Sequence, residues 1–581
     1  MSEKTSQSHI RFQISFTKPQ AHYVDVRMEI SGISQDQLEL VMPVWAPGSY
    51  LIREFSKNVE GFKAMADGKA ISHQKLRKNA WLVDTKNHAE ISVLYRVYAF
   101  EVSVRTSFVD QSHAFLSPTG IFLYPEGMLN EPSEIQILPC NNWKTISTAL
   151  ENIGQNPYCF YAPNFDVLYD SPLEIGNQHI FKFTAANVLH EVAMYGGGMY
   201  DEEKLIADFT KIIEEETSVF KENPNQRYVF IIHNFNQGGG GLEHCSSTVL
   251  DVTRTAYADE KTYQDFLGLV SHEYFHLWNV KRLRPKALGP FDYQQENYTT
   301  SLWIAEGFTA YYDNLVLCRA NLISVENYLK LLSEDITLVE NMPGRKIQTL
   351  TEASFDAWIK FYRPNENTPN TTVSYYVKGS LVALFLDLII IHQTEAKHNL
   401  DEVMKRMYNR FYKTENRGYT EAEFKTVLEE VAGSSLNHIY DQYINGLEDL
   451  DYNHYLGYAG LRLKVCAPET KPLPAIGIST SFTTQKLVVT QIERGTAAWQ
   501  VGISVNDELL AINGNRIIDL EKTLQFLLPG DTIDLTLVRD GRLLELPVTL
   551  QKQHKIKYQI EEIAEPTYQQ IISRNKWLIC N

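Results

Sequence analysis

Over the first 170 or so residues, apolar side chains recur at every second position: Phe12, Ile14 and Phe16, then Val24, Val26, Met28 and Ile30, then Ile91, Val93, Tyr95 and Val97. Alternation of this kind turns one face of each strand toward a core, so it predicts an N-terminal all-β domain over 1–170. Between these runs, PVWAPGSYLIRE (Pro43 to Glu54) holds two prolines and Gly48, which suit a crossover or edge loop. From about Tyr200 the period lengthens. DEEKLIADFTKIIEEE starts with acidic residues and then places apolar ones at helical spacing, and the buried-strand candidate RYVFIIHNF (Arg227 to Phe235) follows. Helices are expected from there to about Gly446. Among them, Leu381 to Ile391 is too short to span a membrane and carries Asp387 in its middle, so it reads as a buried helix. Short strands and glycine turns return over 455–552, while 553–581 is mixed and receives no assignment.

The length of 581 residues asks for three or four folded units, and 44% hydrophobic against 22% charged residues is a globular composition. With 54 basic and 71 acidic residues the net charge is −17, which gives no electrostatic support for nucleic acid or an anionic membrane as a partner. Six cysteines (Cys140, Cys159, Cys245, Cys318, Cys466, Cys580) are dispersed without a C-x-x-C pair, so neither a disulfide scaffold nor a cysteine zinc site is indicated. The opening MSEKTSQSHIRFQ has no apolar core of the secretory kind, and a cytoplasmic enzyme is expected.

The chemistry concentrates in KTYQDFLGLVSHEYFHLWNVKRLRP, where Phe266, Val270, Tyr274 and Leu277 mark a helix. His272 and His276 stand four apart on one face, where two imidazoles can hold one Zn²⁺, and Glu273 beside them can take a proton from an attacking water and return it to a leaving amine. A catalytic zinc needs a third protein ligand. Glu306 in SLWIAEGFTAYYD supplies one, since a lone carboxylate in an otherwise apolar helix is costly without a cation. The plainer alternatives are surface histidines and a partly exposed glutamate near a helix start.

H-E-x-x-H followed by W-x-x-E-G-F resembles the glutamate-zincin metallopeptidases, and Trp278 sits where their aminopeptidase branch has a tryptophan. Gly240 to His244 (Gly-Gly-Leu-Glu-His) looks like that branch's exopeptidase motif, and Tyr376 in Tyr-Val-Lys-Gly resembles its transition-state tyrosine. With HLWNVKRLRP, PVWAPGSY and a PDZ-like C-terminal unit, the chain most resembles the PDZ-bearing glycyl aminopeptidase family, over nearly its whole length. The resemblance implies a multidomain plan: the N-terminal β domain, an α+β thermolysin-like zincin domain (171–450) with one zinc, a β-rich PDZ-like domain (455–552) and a tail (553–581). It departs from better-known aminopeptidases in the thirty positions between His276 and Glu306.

The expected chemistry is zinc-dependent removal of N-terminal residues from peptides, and the resemblance alone implies a preference for small ones, glycine or alanine. Glu273 acts as general base, and Tyr376 donates to the oxyanion unless neighbouring Tyr375 takes that role. Glu243 takes the substrate's α-ammonium, while Gly239, Gly240 and Gly241 let a peptide lie alongside as an added strand. The glycine run lacks the Lys-Ser/Thr of a phosphate loop, and adjacency of His244 and Cys245 does not make a nucleophile–base pair. Arg282 or Arg284 could meet a peptide carboxylate or carbonyl, with ordinary surface cations as the alternative. In the PDZ-like unit, Gly460 to Leu463 is the candidate carboxylate-binding loop and strand for a peptide C-terminus, with an interdomain packing module whose groove is blocked as the alternative. The rivals are a PDZ-assisted zinc endopeptidase and, from another class, a PDZ adaptor or holdase-like peptide binder with an idle metal site.

Overall fold

The computed structural model describes residues 9–140, 142–466, 473–483, 485–553 and 555–579, so Cys580 lies outside it. Contacts between Cα atoms divide the chain into two compact units. One holds Met1–Thr299, Tyr312–Ile323 and Asp401–Phe424; the other holds Thr300–Tyr311, Ser324–Leu400 and Lys425–Asn581.

In the first unit the alternating runs form the expected strands. His9–Ser15, Tyr23–Ser31 and Glu90–Tyr98 are neighbours in an eight-stranded sheet. Their register sets Phe12 opposite Met28 and Met28 opposite Val93, so residues of like parity face one core. The Pro43–Glu54 segment is a loop, as its prolines and glycine require. It is nonetheless buried: Trp45 Nε1 donates to the Asp292 carbonyl at 2.8 Å and Val44 N–H to the Tyr293 carbonyl at 2.9 Å. The residues that lengthen the interval between His276 and Glu306 therefore support this loop, with Phe291 and Tyr293 packed around Trp45.

A five-stranded sheet follows, in the order His179–Ala185, Val188–Tyr195, Arg227–Phe235, Ser247–Thr253, Gly241–Glu243. Its middle strands pair parallel and are buried on both faces, which is why RYVFIIHNF reads as continuously apolar. Gly241–Glu243 pairs antiparallel and is an edge strand. The helices Glu202–Phe220, capped by Asp201, and Glu260–Phe275, capped by Asp259, pack on each other, and the second also lies on the Gly241–Glu243 and Ser247–Thr253 strands. Sheet and helices together make the α+β zincin plan.

The second unit is built around the helix Val377–Gln393, apolar on all sides. Its Asp387 accepts from Leu400 N–H at 2.7 Å and from Tyr311 Oη, so the mid-helix carboxylate is satisfied where it is buried. The PDZ-like module has its own core (Val489, Leu509, Ile533, Leu535, Leu537, Val548) and a sheet with Ile478–Thr483 at one edge. Two expectations change here. Gly460–Leu463 is not the carboxylate-binding loop: Leu461–Cys466 pairs with Lys557–Glu562 in a separate two-stranded sheet. A cavity of about 520 Å³ lies instead between the Ile478–Thr483 edge and the helix Leu520–Leu524, lined by Ile476, Gly477 and Ile478 and, from outside the module, by Asn341, Pro343 and Asn370. The unassigned tail is ordered: Tyr568–Leu578 is a helix against Val377–Gln393, with Trp577 fully buried and donating to Tyr311 Oη at 2.9 Å. No helix among the described residues is long and apolar enough to cross a membrane.

Candidate active site

The helix Glu260–Phe275 carries His272 and Glu273 in its last turn, with His276 as its C-cap still in helical backbone. The Nδ1 of His276 donates to the Asn279 carbonyl at 2.7 Å, which fixes the tautomer and leaves Nε2 as the ligand atom. The Nδ1 of His272 meets the Asp313 carboxylate at 3.2 Å. Such outer partners orient imidazoles toward a metal. One ligand atom from each of His272, His276 and Glu306 falls within 4.8 Å of the other two. A His₂Glu donor set with tied Nδ1 atoms suits Zn²⁺, so the residues present fit the group.

A second cluster adjoins the first: ligand atoms of Glu243, Glu273 and His276 also lie within 4.8 Å of one another, all three residues buried. Glycines make room for both carboxylates. A Cβ at Gly241 would stand 2.3 Å from Glu273 Oε1, and one at Gly48, in the left-handed region, 2.5 Å from Glu243 Oε1. Glu243 is 4% exposed and its Oε1 has no hydrogen-bond partner among the described residues. A small cavity of about 20 Å³ reaches this carboxylate, lined by Trp45, Gly48, Tyr50, Phe291 and Arg284 among others.

Behind Glu243 lies a buried ion pair that the sequence did not reveal. Asp170 accepts from Lys281 Nζ at 2.6 Å, His244 Nδ1 at 3.0 Å and Cys245 N–H at 2.8 Å, which pins the end of the glycine-rich strand. Burial opposes the charge on Lys281, but Asp170, then Cys245 and Glu243, hold its ammonium above the usual range. Burial also pushes the Cys245 thiol up to about 11, which removes it as a nucleophile. Arg282 is spent on the Cys245 and Leu277 carbonyls and Asn225, so it does not face a substrate, whereas Arg284 lines the small cavity.

On the other side, Gly307 and Gly379 explain the glycines of the E-G-F and Y-V-K-G motifs. A Cβ at Gly307 would stand 2.7 Å from Gly379 Cα, so two helix starts touch backbone to backbone. This brings Tyr376, the N-cap of Val377–Gln393, within the field of Glu306. Burial, and then the Glu306 charge, push the Tyr376 phenol well above its ordinary range, and its Oη lies 3.3 Å from that of Tyr362. Tyr375 is turned into the core beside Phe361. Sequence reasoning missed Asp313, Asp170 and Lys281 because their partners are 41 to 111 positions away.

Fold and site together define a PDZ-bearing metallopeptidase. Three family models match: the peptidase M61 N-terminal domain over 11–177, the M61 glycyl aminopeptidase over 265–382 and the PDZ domain over 474–550. Among solved structures, an aminopeptidase N family protein from Idiomarina loihiensis is 33% identical, covering 98% of this chain and 100% of its own, with a TM-score of 0.92. An M1 zinc metallopeptidase from Deinococcus radiodurans is 10% identical over 74% of this chain and 91% of its own, with a TM-score of 0.46. No curated protein sequence matches. The chain belongs to the M61 glycyl aminopeptidase family and is a metallo-aminopeptidase, a hydrolase of peptide bonds.

Proposed function

We propose that the enzyme removes small N-terminal residues, glycine or alanine, from peptides, with one zinc per chain held by His272, His276 and Glu306. When bound, the zinc supplies a Lewis acid that polarises the scissile carbonyl and lowers the pKa of a water toward 7. Glu273 takes the proton of the attacking water and delivers it to the leaving amine. Tyr376 stays protonated at neutral pH, because burial and Glu306 raise its phenol, and so it serves as a donor to the oxyanion. Glu243 receives the α-ammonium.

The observation that carries the exopeptidase reading is the buried Glu243 oxygen without a partner. Lys281 lies close enough to feel the Glu243 charge, but its ammonium is bonded to Asp170, so the Glu243 oxygen still lacks a hydrogen-bond donor, and a free N-terminal ammonium is the donor a peptide brings. An endopeptidase site would have no use for it. The preference for small residues is supported by the match of 265–382 to the glycyl aminopeptidase model. The PDZ groove along the free Ile478–Thr483 edge supports a peptide C-terminus as a second ligand.

The test uses metal content and turnover together. Chelated protein should release no glycine from Gly-Ala-Ala and recover on one equivalent of zinc. Glu273→Gln should still bind that equivalent while turnover falls by about 10³. Retained turnover in this variant would remove Glu273 as the base, and zinc uptake unchanged in His272→Ala and Glu306→Ala would remove the metal assignment.

A further inference from the structure

The edge strand Gly241–Glu243 offers a substrate very little backbone. In its antiparallel pairing Leu242 lies opposite Val249, the Gly240 carbonyl accepts from Asp251 N–H at 3.0 Å, and His244 N–H donates to the Ser247 carbonyl at 2.9 Å. Residues 240, 242 and 244 thus turn their polar groups inward. By the alternation of such ladders, Gly241 and Glu243 turn theirs to the open edge.

The Gly241 carbonyl is already taken. Arg105, from the loop after Glu90–Tyr98 in the N-terminal domain, donates to it from Nη2 at 3.1 Å. Its Nη1 lies 3.9 Å from where a Gly240 Cβ would be. The loop is held in place by Val104, which is buried with Phe115, Val229, Ile231, Leu242 and Val249. The Gly241 bond is the only side-chain bond of Arg105 among the described residues, no carboxylate pairs with it there, and its Nε is buried without a partner. A guanidinium has five N–H donors in a fork that matches a carboxylate, so most of this one's capacity is unspent.

We propose that Arg105 is the receptor for the substrate's C-terminal carboxylate and makes the enzyme selective for di- and tripeptides. The inference rests on the reading of Glu243 as the ammonium site. A peptide whose amine lies at Glu243 and which pairs antiparallel to the edge strand runs back toward Gly241 and Gly240. Two to three residues at roughly 3.3 Å each carry it about 7–10 Å, which is the length of a di- or tripeptide. There it meets a cation that closes the edge to further pairing. Glu243 and Arg105 together measure the substrate at its two charged ends.

The experiment compares Gly-Ala-Ala with its C-terminal amide. The native enzyme should favour the free acid by about tenfold or more in kcat/KM. In Arg105→Met that ratio should fall to near one, and in Arg105→Lys, which keeps the charge but loses the fork, it should be intermediate. Because each ratio is read within one preparation, partial misfolding cancels. The same loss should appear as a weaker Kd for Gly-Ala-Ala, but not for its amide, when Arg105→Met is added to Glu273→Gln. A native ratio within twofold of one, or equal loss on acid and amide, overturns the proposal. So does an amide with aspartate in second place that outruns the free acid, since Arg105 would then read side chains. If native enzyme cleaves acid and amide alike, only this inference falls; if it releases glycine from neither, the aminopeptidase reading falls with it.

Discussion

Gly241 is where the residue-level account is most exposed. The sequence suggests that its lack of a side chain serves the substrate's approach, but the structure adds a second reason, since a Cβ there would overlap the Glu273 carboxylate. The clash is with a movable side chain and not with backbone, so Gly241→Ala should leave the fold intact and displace the base. A misplacement of about 1 Å costs on the order of 10² in rate. We therefore expect kcat to drop about a hundredfold with zinc content and thermal midpoint nearly unchanged; a variant with ordinary kcat would show that Glu273 has room to spare. His272, Glu273, His276 and Glu306 are legible in the sequence because metal chemistry demands those residue types at helical spacing. Asp313 and Asn279, which orient the imidazoles, are not, since one partner is distant in sequence and the other acts through its backbone carbonyl.

Among elements, the sheet that carries the glycine-rich edge is fastened to the N-terminal domain by a buried chain of charges. His233, on the strand Arg227–Phe235, lies between Asp251 at 3.0 Å and Glu174 at 2.9 Å, and Glu174 also holds His113 at 2.8 Å. Burial works against the charge on His233, but its bonds to Asp251 and Glu174 outweigh it and raise the ring to about 9. Glu174, which burial alone would raise, is drawn down to about 2, chiefly by His113 and then His233. A raised histidine stabilises the fold fully below its unfolded value near 6.5, and that contribution is lost as pH climbs through about 9. The lowered carboxylate contributes above its unfolded value near 4.5 and loses its effect as pH falls toward 2. Native stability should therefore decline between about pH 7 and 9.5, by on the order of 3 kcal/mol from this group. Melting curves across that range check it, and His233→Gln should flatten the decline; the same slope in both proteins would contradict the assignment.

The alternating strands and amphipathic helices of this unit were readable because burial on one face imposes a period. The closely approaching pair Gly307 and Gly379 was not, because nothing in either motif says that the two glycines face each other.

Across the whole molecule, the PDZ module is an insertion. It is bracketed by Leu461–Cys466 and Lys557–Glu562, which pair with one another, and the chain then returns to place Trp577 against Tyr311. The three-part plan was legible from changes of period, but this return was not, although Thr567 and Gln570 form a capping box whose spacing announces a helix start. Paired strands hold their ends close, so replacing 474–550 with a short flexible linker should leave tripeptide hydrolysis within a few-fold of native. Removing 564–581 instead should destabilise the catalytic helices, since burying a tryptophan alone is worth about 3–5 kcal/mol. Thermal melts and tripeptide kinetics on the two deletions check this; the opposite order of damage would show that the module, and not the tail, supports the site.

A free N-terminal amine is what we propose the enzyme reads. Zinc-loaded protein given Gly-Ala-Ala and N-acetyl-Gly-Ala-Ala, with products followed by mass, tests it directly. Glycine should be released from the first in a chelator-sensitive way and the second left uncleaved, with Glu243→Ala losing activity on the free amine. Cleavage within the acetylated peptide at a comparable rate would contradict it and make the site an endopeptidase's.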